Sequence, residues 1–170
     1  MGLWSWFKGL LGRSDDKGES KLLVAFVLFL REPRYLDAEI VARLASEAWC
    51  KEIRVGETED ADNFVFGTAP TFVMRSGDYM YLVNNFPTPY MEDPEVAAQE
   101  IDDLRLRKHV AEHRAWLSVD ALGEYDEEKL PEIYGYIGKL TAALADTDCL
   151  AIYSPATGQM NIYEPELEQR

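Results

Sequence analysis

The chain has 170 residues, of which 47% are hydrophobic and 28% charged, and its formal net charge is −14. This length suits one domain or a closely fused pair, and the composition excludes disordered and fibrous proteins. Because 31 acidic residues outnumber 17 basic ones, most of the surface repels phosphate groups, and we expect no nucleic-acid partner.

The first thirteen residues, MGLWSWFKGLLGR, differ in character from the rest of the chain. On a helix, Leu3, Phe7, Leu10 and Leu11 share one side, which makes residues 1–13 a candidate for weak peripheral membrane contact. The alternative is a short helix that docks on the domain or on a partner. The polar segment that follows predicts a linker, so that residues 1–20 form an amphipathic tail before a domain over 21–170.

The run LLVAFVLFL, residues 22–30, is far shorter than the ~20 apolar residues that cross a membrane. It predicts a strand that is buried on both faces at the centre of a sheet. Asp37 is a good N-cap for a helix that ends near Trp49. Further strands are predicted over 51–55, 64–66, 71–75 and 79–83, with a hairpin turn at Gly77.

In the second half, Asp93 and Pro94 predict the start of a linking helix over 93–112. Alternation and helical periodicity predict the remaining elements: strands over 115–122, 149–154 and 159–163, and a helix over 127–145.

The order of these elements favours an α+β fold, with a mixed, largely antiparallel sheet covered by helices on one face. A β-α-β-β order occurs in residues 21–90 and again in 113–170, and each part contains a C-x-x-I sequence, at 50–53 and 149–152. A single compact domain and a pair of fused halves joined by the linking helix therefore both stay open.

The segment HVAEH, residues 109–113, holds both histidines of the chain. Its H-x-x-E-H pattern is the zinc signature of inverzincin peptidases, and a helix would place the two rings on one face. Zinc needs a third ligand, however, and nothing marks one among the acids downstream. We interpret the histidines as capping or hinge residues and expect no cofactor. A metal-dependent hydrolase that uses His109, Glu112 and His113 is the alternative.

Other catalytic signatures are missing from the sequence, including a nucleophile elbow and phosphate-binding loops. The two isolated cysteines, Cys50 and Cys149, fit buried thiols in a reducing cytoplasm. Candidate binding residues are His113 and the aromatic side chains around the hairpin at Gly77 and the proline-rich loop over residues 84–90: Tyr79, Tyr81, Phe86 and Tyr90.

Three segments resemble a bacterial domain family of unknown function, numbered 4261: VAFVLFLREP, HRAWLSVDALG and CLAIYSPATGQM. The resemblance extends over residues 22–163. It implies a cytoplasmic bacterial domain with no established activity, and it touches His113 but not His109.

The acidic residues are concentrated in the last third of the chain, where Asp120 to Arg170 contain eleven acids and three bases. We expect a non-enzymatic binding module whose acidic part meets a basic protein partner, as an immunity-type inhibitor would. The alternatives are the metal-dependent hydrolase and a membrane-surface scaffold held by the tail. The sequence does not predict the oligomeric state.

Overall fold

A computed structural model describes residues 23–56 and 62–164, in which one eight-stranded sheet carries helices on both sides. The strands are β1 (Ala25–Leu30), β2 (Arg54–Val55), β3 (Asn63–Thr68), β4 (Thr71–Ser76), β5 (Tyr79–Phe86), β6 (Ala115–Leu122), β7 (Cys149–Ser154) and β8 (Gln159–Ile162). The helices are α1 (Ala38–Trp49), α2 (Pro94–Ala98), α3 (Leu104–Glu112) and α4 (Leu130–Leu144), the last preceded by a 3-10 turn, Glu127–Lys129. The tail and linker predicted over residues 1–20 lie outside the described residues.

The predicted α+β class is confirmed, with a sheet that is mixed and mostly antiparallel. The order across the sheet is β2-β3-β4-β5-β6-β1-β7-β8, and only β2 and β3 run parallel. Strand β1 lies between β6 and β7, as its apolar sequence predicts, and its alternate residues are buried on both faces.

The longest helices, α1 and α4, cover one side of the sheet, which we call the closed face. Leu28 and Leu30 of β1 pack there against Ile137 and Leu140 of α4. The indole N–H of Trp49, at the end of α1, donates to a backbone carbonyl of α4 at 3.0 Å, so the two helices are held together.

The linking segment, which joins β5 to β6 and contains α2 and α3, covers part of the opposite side of the sheet. The prediction of helices on one face only was therefore wrong on this point. Val27 and Phe29, which alternate with the closed-face leucines of β1, pack against Val110 of α3 and Met91. Both faces of β1 are apolar, so both must be shielded from water. The helices α1 and α4 bury one face, and the linking segment buries the other.

Several predicted element boundaries differ from the structure. The strand predicted over 79–83 runs to Phe86 and so includes Asn84, and two further differences have a local cause. The linking helix predicted over 93–112 is two helices, because Asp103 caps a new helix by accepting N–H bonds from Arg105 and Leu106. The strand predicted over 51–55 shrinks to Arg54–Val55, because α1 ends in a left-handed residue, Cys50, with φ 51°.

The described parts of the two segments, within 21–90 and 113–170, share the sheet rather than forming separate layers. Strand β1 of the first segment lies between β6 and β7 of the second. The two C-x-x-I sequences also have different surroundings, since Cys50 ends a helix and Cys149 begins a strand.

Candidate functional site

His113 is buried where α3, β6 and the proline-rich loop meet. We call this contact region the His113 joint. Its side chain is 2% exposed, and its ring stacks on Phe29 with the centroids 4.5 Å apart. Nε2 accepts the backbone N–H of Tyr90 at 3.0 Å, and Nδ1 hydrogen-bonds the carbonyl oxygen of Val110. A neutral imidazole with its proton on Nδ1 satisfies both bonds. Burial lowers the pKa of His113, which favours this neutral form.

The two histidines do not form the metal face that HVAEH suggests. His113 is the C-cap of α3 with extended backbone, and both of its ring nitrogens have backbone partners. Glu112 points to Lys108, at 3.9 Å. In residues 23–56 and 62–164 there is no group of three side chains that could hold a metal ion. The arrangement fits the capping interpretation of His113 and gives no support to the hydrolase alternative.

His109 differs from His113 in its surroundings. It lies on the last turn of α3 and is partly exposed, yet its Nδ1 is buried without a hydrogen-bond partner among the described residues. Burial lowers the pKa of His109, against the opposing effect of Glu112. Its backbone carbonyl accepts the N–H of His113, so the contribution of His109 to the joint is made by its main chain.

Cys149 is not placed for nucleophilic chemistry. Its thiol is buried at the start of β7, and burial raises its pKa to about 12, so it is protonated at neutral pH. The other thiol, Cys50, is exposed at the end of α1, so the prediction of a buried thiol was wrong for this cysteine. Both histidines lie at the end of α3, away from the two thiols.

The four aromatic candidates separate onto opposite sides of the sheet. Tyr79 and Tyr81 lie on the closed face, where Tyr81 is fully buried beside Trp49, with ring centroids 5.4 Å apart. The hydroxyl of Tyr79 donates to Glu132 of α4 at 3.1 Å. Tyr79 and Tyr81 therefore attach β5 to the covering helices and form no binding surface with the other two.

Phe86 and Tyr90 are on the other side, next to the His113 joint. Phe86 stacks on Trp116 of β6 at 4.7 Å, and Tyr90 meets the same indole edge-on at 5.1 Å. Burial raises the pKa of Tyr90, and the nearby Tyr153 and Asp120 add to the effect. This aromatic group forms one wall of an uncovered area of the sheet.

That area, which we call the open face, is the side of β3 to β6 opposite α1 and α4. Ser118 and Phe64 on this face are buried, at 2% and 7% exposed, and its other residues are partly buried or exposed. None of its partly buried or exposed apolar members belongs to either core cluster: Phe66, Val73, Met80, Leu82 and Leu122. The described helices contact the strands elsewhere, α1 on the far side of β3 and α3 at β7 and β8. Apolar patches that stay uncovered commonly mark interaction sites.

Strand pairing arranges the open face in rows. One row runs Asp120, Leu82, Val73, Phe66 from β6 to β3. The next row along the strands is polar: Ser118, Asn84, Thr71. An apolar strip thus lies beside a polar strip, and Asp120 is at the junction.

Asp120 is held in place by neutral hydrogen-bond donors. Asn84 Nδ2 donates to its carboxylate at 2.9 Å, and Asn84 is oriented by Thr71, whose hydroxyl donates to Oδ1 at 2.9 Å. Burial raises the pKa of Asp120 to about 6, although hydrogen bonds from Ser118 and Asn84 act against the shift. No basic side chain among the described residues pairs with this carboxylate. Such a buried acid without a counter-charge is typical of a functional position.

Acidic side chains border the open face at one end. Pairing of Met80 with Leu122 brings the β4–β5 turn and the loop after β6 to the same end of the sheet. The exposed acids there, which we call the acidic rim, are Asp78, Glu124, Asp126, Glu127 and Glu128. Two basic residues lie at the same end: Arg75, which pairs with Met80 on the open face, and Lys129, which ends the 3-10 turn.

Comparison with known proteins adds no relative: no family model, no curated protein and no solved structure matches this chain. The resemblance to the family numbered 4261 and the cytoplasmic location stay predictions. No helix within 23–56 and 62–164 has the length and apolar character required to cross a membrane.

The polar row was missed by reasoning from the sequence alone. A signal was present, because in AWLSVDAL the polar Ser118 and Asp120 alternate with buried apolar residues of β6. Polar residues at every second position of a central strand indicate a face that no helix covers. Asn84, in the sequence VNNF of β5, gives the same indication.

Proposed function

We propose that this protein is a non-enzymatic binding module for a basic protein partner, and that the open face and the acidic rim form the binding surface. The partner segment carries apolar side chains for the strip around Leu82 and a cationic side chain for Asp120. An amphipathic, basic helix has this chemistry.

The observation that carries the proposal is Asp120. A carboxylate that is largely buried among neutral groups costs free energy unless a cation reaches it. The aromatic rings of Trp116 and Tyr90 stand on the same side, and Tyr90 is close enough for its pKa to respond to the Asp120 charge. An incoming ammonium or guanidinium group would gain an ion pair here.

The acidic rim supports the same partner by attraction at longer range. Its five acids add to a chain with a net charge of −14, so a basic protein is drawn to this end of the sheet. Charges at the border of an interface mainly raise the association rate and are screened by salt within about 8 Å at physiological ionic strength.

The test is direct binding of a defined probe to the full chain. A fluorescent amphipathic peptide with leucines on one side and lysines on the other is titrated with the protein, next to a peptide in which glutamates replace the lysines. We expect only the basic peptide to bind, and its affinity to fall as salt rises from low to physiological concentration.

Asp120→Asn should weaken binding of the basic peptide about tenfold or more, because it removes one partner of a largely buried charge contact at the interface. Asp102→Asn is the matched control, because it makes the same change of net charge at an exposed residue of the linking segment. Equal effects of the two substitutions, or equal affinity for the two peptides, would reject the proposed surface.

A further inference from the structure

We infer that the open face has an occupant within the chain itself, the N-terminal segment of residues 1–13. This docking stands apart from the partner proposed above, and only its regulatory consequence rests on that proposal.

The point at which the described chain begins favours this occupant. The carbonyl of Val24 accepts the N–H of Ala121, and Ala25 pairs with Asp120. The chain therefore enters the sheet beside the row of Asp120, Leu82, Val73 and Phe66. A segment that precedes Leu23 starts at the border of the open face.

The length of chain is sufficient to cross the face. Nine residues, Ser14 to Leu22, separate the apolar segment from the described domain, and they can extend about 30 Å. The four strands of the open face span about 15 Å. A helix of thirteen residues would be about 20 Å long, which matches the face in size.

The chemistry of the segment complements that of the face. Leu3, Phe7, Leu10 and Leu11 would lie on one side of a helix and meet the apolar row, while Lys8 and Arg13 are cations without a single acid in residues 1–13. The domain supplies the acidic rim as the opposite charge. A segment of opposite charge that is tethered to the domain also has a high effective concentration.

Occupation by this segment would regulate binding, because it has the same chemistry as the proposed partner. A basic amphipathic partner must displace residues 1–13 before it reaches Leu82 and Asp120. The apparent affinity for the partner is then reduced by the fraction of chains in which the face is covered.

The experiment locates the segment in the full chain with a spin label. Ser5→Cys carries a nitroxide in a Cys50→Asn background, since Cys50 is exposed with φ 51° and asparagine tolerates that backbone. Cys149 is buried and stays in place. We expect the methyl signals of Leu82 and Val73 to lose most of their intensity, while those of Val41 and Leu140 under the helices keep theirs.

A substitution on the face should release the segment. In the labelled chain, Met80→Glu is expected to restore the Val73 signal, with unchanged circular dichroism as the check on folding, and Leu82→Glu is the second variant. Val96→Glu, at an apolar residue of α2 that is 58% exposed, is the control and should restore nothing.

Three outcomes would overturn the inference. One is undiminished methyl signals on the open face, and another is loss of the Val41 and Leu140 signals instead. The third is a loss of methyl signal that appears only when the spin label and the isotope label are on different chains. That result would make the occupant the segment of a second copy. None of these readouts uses the basic peptide, so failure here is distinct from failure of the proposed function.

A last arm tests the regulatory consequence. Phe7→Ser with Leu10→Ser should increase the affinity of the full chain for the basic peptide severalfold, because these residues would no longer cover the face. Unchanged affinity would contradict competition between the segment and the partner, even where the spin label places the segment on the open face.

Discussion

The two sides of strand β5 have opposite surroundings, although their residues alternate along one chain segment. Tyr81 and Val83 are fully buried on the closed face, whereas Leu82 and Asn84 between them are only partly buried on the open face. The closed face has the packing of a core that holds the fold together. The open face has apolar residues, a polar row and a buried acid, which contribute less to stability and are suited to recognition.

Two leucines provide the sharpest contrast between the faces. Leu117 is fully buried under the helices, and Leu117→Ala should lower the free energy of unfolding by about 3–5 kcal/mol through lost burial and a cavity. Leu82→Ala should cost about 1 kcal/mol or less, because no part of residues 23–56 and 62–164 forms a packed layer over the open face that would leave a cavity.

Chemical denaturation of both variants measures this difference. Equal losses of stability for Leu117→Ala and Leu82→Ala would mean that the open face is packed as tightly as the closed one. In that case a resident segment covers it firmly, and the difference should return when Phe7 and Leu10 are both replaced by serine.

The histidine joint is expected to be the next largest effect. His113→Ala would leave the N–H of Tyr90 and the carbonyl of Val110 unpaired and open a cavity beside Phe29, at a cost of about 2–4 kcal/mol. His109→Ala should cost much less, about 0.5 kcal/mol, because its side chain makes no such pair of bonds.

The contribution of His113 should depend on pH in a defined direction. Its pKa is lowered in the fold, so its stabilisation is complete above the unfolded value of 6.5 and is lost as the pH falls from 6.5 through the folded pKa. The stability difference between the wild-type protein and His113→Ala should therefore shrink on acidification. A stability difference that is constant from pH 7.5 to 5 would show that His113 does not make its two hydrogen bonds as the neutral imidazole.

Asp120→Asn should stabilise the protein at neutral pH. The raised pKa of Asp120 means that the fold binds its proton more tightly, so the unfolding free energy falls as pH rises from 3.8 to about 6. Because asparagine keeps an acceptor for Asn84 without the charge, we expect a gain of about 1–3 kcal/mol above pH 6.

The gain from Asp120→Asn should disappear below the unfolded pKa of 3.8, where the carboxyl is protonated in both states. Thermal or urea unfolding across this pH range measures it. A loss of stability at pH 7 would indicate that a cation already pairs with Asp120 in the full chain, and it would remove the argument for an unmet charge.

The smallest expected effect concerns Tyr81 on the closed face. Its hydroxyl is buried without a hydrogen-bond partner among the described residues, and burial raises its pKa above the ordinary value. Tyr81→Phe should therefore leave stability unchanged or raise it by about 0.5–1 kcal/mol. A clear loss of stability would show that the Tyr81 hydroxyl has a hydrogen-bond partner in the folded protein.

Much of the fold could be predicted from the sequence because local signals agreed with the final contacts. Asp37 and Asp93 cap helices as predicted, and the apolar run that contains β1 is central. The break between α2 and α3 was missed, because Asp103 lies in a charged stretch where one more acid does not stand out.

Most of the candidate site could not be predicted from the sequence, because its residues come together only through strand pairing. Asn84 and Asp120 are neighbours because β5 pairs with β6 in one register, which no local pattern specifies. The four aromatic candidates divide between the two faces for a related reason. Tyr81 and Phe86 have opposite positions in the alternation of β5, and their faces differ accordingly.

The central claim is that a basic partner binds the open face, and methyl chemical-shift mapping tests it most directly. The basic amphipathic peptide is added to the full chain with labelled leucine, valine and methionine methyl groups. The account predicts saturable shifts at Leu82, Val73 and Met80 that need about tenfold or more peptide in Asp120→Asn, with Leu117 and Leu140 unmoved. Shifts confined to the closed face, or the same shifts with the acidic peptide, would contradict it.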